Sequence, residues 1–179
     1  MSAYIFNYQL DFKHVNFRER PHLYRIGKGE QGVLLVEPYK SELLPLWRFR
    51  TLVLAEASAQ NIHEKFKEYL AAKDFVGADM ARKYLQMGFT RARRYANHRS
   101  GRKYDTSNPA FLPSDYPHSQ GSPHKAHNTI NDQETDALTS EKAKAATVFK
   151  EYWFLAKQNP EYQSQKTDFV AAIAQQKGG

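Results

Sequence analysis

The sequence has no cysteine and no long apolar run. The lack of cysteine excludes disulfide bonds, thiolate metal ligands and a cysteine nucleophile. No apolar run approaches the roughly 18 to 20 residues that a transmembrane helix requires. The start of the chain also lacks the basic segment followed by an apolar segment that is typical of a secretory signal. We therefore expect a cytoplasmic protein that does not enter a membrane.

The common catalytic motifs are missing as well. There is no GxSxG sequence for a serine nucleophile and no HExxH sequence for a zinc protease. Residues 27–32 satisfy GxGxxG, but they lie between two predicted strands, whereas a dinucleotide-binding loop opens a helix. The HRD and DFG sequences of protein kinases do not occur. The sequence thus indicates no reaction, and we assign no catalytic residue and expect no cofactor or metal.

The composition is that of an ordinary soluble globular protein. Hydrophobic residues make up 41% of the chain and charged residues 25%, so the chain can form a packed core. A length of 179 residues predicts a single domain over residues 1–179. The 26 lysines and arginines outnumber the 19 acidic residues, which leaves a net charge of +7. This charge favours acidic partners such as nucleic acid or another polyanion.

The excess positive charge is concentrated between Lys73 and Lys103. This stretch has nine basic and two acidic residues, a surplus equal to the net charge of the whole chain. Residues 75–97 are predicted to form an amphipathic helix, because a step of about 100° per residue separates polar from apolar positions. The charged residues of the predicted polar face are Asp79, Arg82, Lys83, Arg93 and Arg94. We expect Asp79 to pair with Arg82 and Lys83 on the helix surface.

Arg91 projects from the apolar side of this predicted helix. Either the helix breaks near Gly88, which would change its phase, or Arg91 is buried and paired with a carboxylate. The candidate partners, all from the region of the predicted strands, are Glu30, Glu37 and Glu42.

Four short segments near the start of the chain have strand character. Residues 4–12 alternate apolar and polar side chains, and residues 23–26, 33–37 and 46–50 are rich in β-prone residues. The glycines of residues 27–32 predict a hairpin. Because these segments are close in sequence, we predict a small N-terminal antiparallel sheet.

The rest of the chain mostly has helical spacing. Helix caps are predicted at Thr51 and Asn159, with the alternative that Leu52, Val53 and Leu54 extend the preceding strand. Further helices are predicted at residues 75–97 and from Thr139 onward. The prediction is therefore an α+β fold in which the small N-terminal sheet packs against about four helices. Residues 105–135 form an irregular loop rich in proline and histidine. We interpret the polar residues that could suggest a metal site in this loop as solvated side chains. They are His118, His124, His127, Asp115 and Asp132.

Two blocks of the sequence are distinctive. They are GKGEQGVLLVEPYKSELLPLWRFR at residues 27–50 and FVGADMARKYLQMGFTRARRYANHRSGRKY at residues 75–104. Both resemble an uncharacterised family of small proteins from bacteria and their phages, known only as a domain of unknown function. The resemblance covers residues 4–105 and the helix around Phe149 and Trp153. It implies a soluble protein with one domain, and it supplies no catalytic residue.

The leading hypothesis is that the protein binds nucleic acid through phosphate contacts from the helix region of residues 75–103. The predicted contacts are Arg82, Lys83, Arg93, Arg94, Arg99, Arg102 and Lys103. Seven such contacts would give a salt dependence with a slope on the order of −6 for duplex DNA. No base-reading motif accompanies them, so we expect binding with little sequence preference.

Two alternatives stay open. A small enzyme or sensor could bind a nucleotide or a phosphorylated metabolite between the glycine hairpin 27–32 and the basic helix. Its positive charges would come from Lys28, Arg48, Arg50 and Arg91. An interaction protein could instead direct its basic helix at an acidic partner chain, with aromatic residues such as Trp47 and Trp153 in its core or interface.

Overall fold

Helices account for the regular secondary structure of the computed structural model. The structure describes residues 2–113 and 127–176. The α-helices in these two ranges are α1 (Tyr39–Leu43), α2 (Leu52–Ala71), α3 (Phe75–Asn97), α4 (Glu141–Gln158) and α5 (Pro160–Gln175). The same ranges contain no β-strand, and their β-type pairing is an isolated antiparallel bridge between Tyr104 and Ile130. The predicted N-terminal antiparallel sheet, and with it the α+β fold class, is therefore wrong.

The first predicted strand, residues 4–12, is a series of turns in which Phe6 and Phe12 pack against the core while Tyr4 and Tyr8 are exposed. The ring centroids of Phe6 and Phe12 are 5.7 Å apart, and those of Phe12 and Phe17 are 5.8 Å apart. A strand needs a neighbouring strand to satisfy its backbone groups. Here the backbone forms local turns instead, as in the hydrogen bonds from the Ile5 amide to the Ser2 carbonyl at 3.2 Å and from the Phe12 amide to the Leu10 carbonyl at 3.0 Å. The alternation therefore matches the inward packing of Phe6, Leu10 and Phe12 but not the exposed Tyr8, and it produces no sheet.

Residues 33–37 lead into α1 and do not form a strand. The amides of Leu35 and Val36 donate to the Gly32 carbonyl at 2.9 and 3.0 Å, which is helical pairing. Gly32 has a φ of +91°, and a Cβ at this position would lie 2.7 Å from the ring of Phe6, so glycine is required there. The valines of the segment are buried, which explains β-prone residues in a turn.

The helix starts follow the caps that the sequence predicts. The Thr51 hydroxyl accepts a hydrogen bond from the Leu54 amide at 3.2 Å, and the Asn159 side chain accepts one from the Tyr162 amide at 3.0 Å. Such caps satisfy amides that have no partner within the helix. The helices predicted after these two residues are confirmed as α2 and α5.

The central helix is α3, which contacts α1, α2, α4 and α5. It is continuous through Gly88, so the alternative of a break at that position is wrong. A Cβ at Gly88 would collide with the ring of Phe149, and the glycine therefore lets α4 pack closely against α3. Within the described ranges, no helix has the length and apolar character needed to cross a membrane.

Candidate nucleic-acid interface

The polar face of the first half of α3 is buried. Asp79 has no exposed surface, and its carboxylate accepts hydrogen bonds from the hydroxyls of Tyr24 at 2.5 Å and Tyr162 at 2.7 Å. The Arg82 Nε donates to the same carboxylate at 2.8 Å, and the Arg82 side chain is 11% exposed. The predicted ion pair exists, but the N-terminal segment and α5 cover it. Arg82 therefore lies mostly inside the protein.

Lys83 is fully buried beside this ion pair. Its Nζ donates to the carbonyls of Ile26 at 2.5 Å and Gln31 at 2.7 Å. The same atom lies 3.7 Å from the Asp79 carboxylate. Burial lowers the pKa of Lys83 to about 8, against the opposing attraction of Asp79. The side chain anchors the glycine loop to α3 and has no surface to offer an external phosphate.

Positive charges and hydrogen bonds keep the buried carboxylate of Asp79 ionised. Burial acts to raise the pKa of Asp79, but the positive charges of Arg82 and Lys83 and the two tyrosine hydrogen bonds hold it well below its usual value. Burial also raises the pKa of Tyr24, so this hydroxyl keeps its proton and stays a donor. A buried pair with its hydrogen bonds made is costly to break on one side only. The cluster is therefore a structural element of the fold.

The glycine loop packs directly on α3, where the enzyme or sensor alternative places a phosphate ligand. The Tyr84 hydroxyl donates to the Val33 carbonyl at 2.6 Å, and the Thr90 hydroxyl donates to the Glu30 carboxylate. Lys28 is exposed on the outer side of the loop. These contacts fill the interface between loop and helix, so an anion would reach Lys28 only from outside.

Arg91 is half-buried near Glu30, one of its three predicted partners. Burial raises the pKa of Glu30, while the hydrogen bond from Thr90 and the positive charge of Arg91 act in the opposite direction. The other two candidates form the pairs Glu37 with Lys40 and Glu42 with Arg18. Among the described residues, no carboxylate lies within ion-pair distance of Arg91. The buried carboxylate pair predicted for Arg91 is therefore not formed there.

The other predicted phosphate contacts lie in and after the second half of α3. Arg93 is half-buried: its Nε donates to the Asn97 side chain at 3.0 Å and its Nη2 to the Ala137 carbonyl. It therefore holds the segment before α4 against α3. The exposed basic residues are Arg94, Arg99 and Arg102, and Lys103 is half-buried beside the ring of Tyr104.

A concave surface lies beside the end of α3, near the starts of α2 and α4. This aromatic–basic groove has a volume of about 510 Å³ and is lined by Leu44, Trp47, Arg48, Phe49, Arg50, Tyr95 and Lys142. Three of these residues are aromatic, three are basic and none is acidic. Aromatic rings interleaved with cations are typical of surfaces that bind nucleic acid.

The rings of the groove adjoin one another. The ring centroids of Trp47 and Phe49 are 4.9 Å apart, and those of Phe49 and Tyr95 are 5.7 Å apart. The Lys142 Nζ lies 5.3 Å from the Tyr95 centroid, a cation–π distance. Tyr95 is 38% exposed. The groove therefore presents aromatic surface and positive charge together.

The two arginines of the groove are held differently. The Arg48 amide donates to the Ser58 hydroxyl at 2.9 Å, which fixes the segment against α2, and Arg48 Nη1 donates to the Trp47 carbonyl at 2.8 Å. Arg50 is exposed, and its side chain makes no hydrogen bond or ion pair within the described residues. Its five guanidinium donors are therefore available to an external anion.

A second cavity adjoins the groove and shares Tyr95 and Lys142 with it. Unlike the groove, it contains carboxylates. One of them, Glu141, accepts a hydrogen bond from the Leu52 amide at 3.2 Å and so caps α2. Arg99 also lines this cavity, so this predicted phosphate contact lies next to the groove.

Comparison with known proteins identifies the family. The model of a family described as a domain of unknown function (DUF4385) matches residues 7–172. The chain belongs to that family. No curated protein and no solved structure matches it significantly. The match confirms the expected domain of unknown function over a longer range than residues 4–105, while the bacterial or phage origin stays a prediction.

In this DUF4385 protein, sequence patterns locate the basic residues but not the groove. The helical period assigns Tyr95 to the apolar side of α3, and no pattern distinguishes Lys142. The alternation of aromatic residues and arginines at residues 47–50 is the signal that could have identified the groove.

Of the loop residues interpreted as solvated, His118, His124 and Asp115 lie outside the described residues. Within the described ranges, no three potential metal ligands come together.

Proposed function

We propose that the protein binds nucleic acid, with phosphate groups held by the basic residues of the aromatic–basic groove. The observation that supports this function is the groove itself, where Arg48, Arg50 and Lys142 surround three aromatic rings with no carboxylate among the lining residues. Unneutralised cations in a concave surface attract a polyanion. This role also fits the cytoplasmic location expected from the sequence.

The proposed site differs from the basic face predicted for α3. Lys83 is fully buried, Arg82 is mostly buried and Arg93 holds a neighbouring segment, so these three make poor phosphate contacts. Arg94, Arg99 and Arg102 are exposed and can extend the binding surface beyond the groove. The number of contacts expected at the groove itself is therefore smaller than seven.

The three groove cations set the expected salt dependence. Each phosphate contact releases condensed counterions, and the slope of log K against log salt is about −0.7 per contact for a single strand and −0.9 for a duplex. Three contacts predict a slope of about −2 to −3. A steeper slope would indicate that exposed arginines such as Arg99 and Arg102 also hold phosphates.

Arg50→Gln tests the proposal directly. The variant removes one positive charge that has no partner within the described residues, so the fold should be unaffected. Binding of a labelled oligonucleotide of about 12 residues is measured by fluorescence anisotropy at about 50 and 200 mM salt. We expect weaker binding and a slope reduced by about 1.

Arg20→Gln is the matched control. Arg20 is exposed, and the adjacent Pro21 lines a cavity together with Phe75 at the first turn of α3. The groove is at the other end of this helix, which is roughly 34 Å long. Arg20→Gln should therefore bind like the parent protein. Absence of binding at low salt, equal losses in both variants, or equally tight binding of polyglutamate would contradict the proposal, and the last result would favour an acidic protein partner.

A further inference from the structure

We infer that the groove takes unpaired bases, so that the ligand class is single-stranded nucleic acid; this rests on the proposed function. The groove offers two kinds of contact at one place. Its cations match phosphates, and its three aromatic rings match the faces of bases, which stack on aromatic side chains with little dependence on sequence. Cations alone would bind any polyanion, so the aromatic rings are the feature that points to single-stranded nucleic acid as the ligand class.

The three rings form a continuous aromatic surface along the groove. Phe49 lies between the other two, with centroid distances of 4.9 Å to Trp47 and 5.7 Å to Tyr95. Neighbouring rings are inclined at 51° and 53°, so they do not cover one another as parallel rings would. Trp47 and Phe49 are half-buried and Tyr95 is exposed, so a base on a strand that follows the groove has most access to Tyr95 and less to the other two rings.

The backbone at Gly101 packs closely against the Tyr95 ring and supports it. A Cβ at Gly101 would lie 3.0 to 3.1 Å from three atoms of the Tyr95 ring, so the glycine allows the backbone to support the ring closely. Gly101 also has a φ of +68°, a conformation that favours glycine. Lys142 lies near the same ring. A fixed ring beside a cation loses little freedom when a nucleotide binds.

A duplex fits these features poorly. In a duplex the base faces are stacked on each other, and a protein reaches only the base edges in the grooves. Duplex-binding motifs usually insert a helix or a two-stranded ribbon into the major groove. The basic helix α3 has the polar side of its first half packed against residues of the N-terminal segment. The open aromatic surface is instead at the end of this helix.

The test compares ligands that share phosphates but differ in their bases. The probes are an oligo(dT) strand of about 12 residues, an abasic strand of equal length, a duplex of equal length and oligo(U). We expect oligo(dT) to bind the unaltered protein at least about 10-fold more tightly than the abasic strand and more tightly than the duplex. The oligo(U) arm distinguishes RNA from DNA as the source of the unpaired bases.

Variants test whether the groove causes the difference in affinity between oligo(dT) and the abasic strand. Tyr95→Ala should reduce the preference for oligo(dT) over the abasic strand, whereas Tyr95→Phe should keep the preference because it keeps the ring. Phe154→Ala is the matched control, since Phe154 is also 38% exposed and lies near a lysine, but it belongs to a different aromatic group. It should leave the preference unchanged.

The outcomes separate the two proposals. Equal affinity for the oligo(dT) and abasic strands, or tighter binding of the duplex, would overturn the base-stacking inference and leave nucleic-acid binding standing. No binding of any probe at low salt would overturn both. In Trp153→Phe, which leaves Trp47 as the single tryptophan of the chain, quenching of its fluorescence by oligo(dT) but not by the abasic strand would support stacking. Equal quenching by both strands would oppose it.

Discussion

The two halves of α3 differ in how far their basic residues are covered by the rest of the protein. In the first half, Lys83 is fully buried and Arg82 is 11% exposed, and both lie beside Asp79. In the second half, Arg94 is exposed and Tyr95 is 38% exposed. One amphipathic pattern runs through both halves. The difference is that the N-terminal segment and α5 cover the first half.

This contrast separates structural from functional positive charge. A buried cation needs a carboxylate or carbonyl oxygens around it, and Lys83 has both. An exposed cation needs neither, because water solvates it. Exposed basic residues that have no ion-pair partner among the described residues and line a concave surface, such as Arg50, are therefore better candidates for ligand contacts than the most basic stretch of the sequence.

Asp79→Asn should have the largest effect on the first half of α3. The substitution removes the negative charge that compensates Arg82 and Lys83 in a buried site. Breaking one side of a buried ion pair costs about 3 to 5 kcal/mol in the free energy of unfolding. Urea unfolding measures the change, with the exposed Asp168→Asn as a control that should alter stability by less than about 0.5 kcal/mol. A loss below about 1 kcal/mol in Asp79→Asn would make the cluster unimportant for stability.

Low pH should reduce the contribution that Asp79, in the first half of α3, makes to the free energy of unfolding. The pKa of Asp79 is lower in the folded protein than in the unfolded chain, so its contribution to stability is present above about pH 4 and is lost as the pH falls through the folded-state value. Chemical denaturation between about pH 5 and 2 should show the parent losing roughly 2 to 3 kcal/mol more than Asp79→Asn. Parallel pH profiles for the two proteins would oppose this assignment.

Arg93→Ala and Arg94→Ala compare neighbouring residues of the second half. Arg93 donates to Asn97 and to the Ala137 carbonyl, so its loss should cost about 1.5 to 3 kcal/mol. Arg94 is exposed, and its loss should cost less than about 0.5 kcal/mol. Denaturant midpoints of the two variants check the difference. Equal midpoints would mean that Arg93, like Arg94, contributes only surface charge.

The amino-acid sequence by itself determines where most helices begin. Thr51 and Asn159 cap α2 and α5 as predicted, because a side-chain cap acts on amides a few residues away and needs no tertiary contact. The spacing of apolar residues in 75–97 predicts α3, because this spacing is also a local property of the chain. The alternation of residues 4–12 also predicts the inward packing of Phe6 and Phe12, although it assigns the exposed Tyr8 to the same side.

The tertiary structure alone decides that the predicted sheet does not form, which charges are buried and where the groove lies. Alternation favours a strand, but a strand exists only if another strand satisfies its backbone, and residues 4–12 form turns instead. Lys83 is buried because residues 24–33 fold over it. The groove joins residues 47–50 to Tyr95 and Lys142, three parts of the chain whose proximity depends on helix packing. Local spacing carries no information on such long-range contacts.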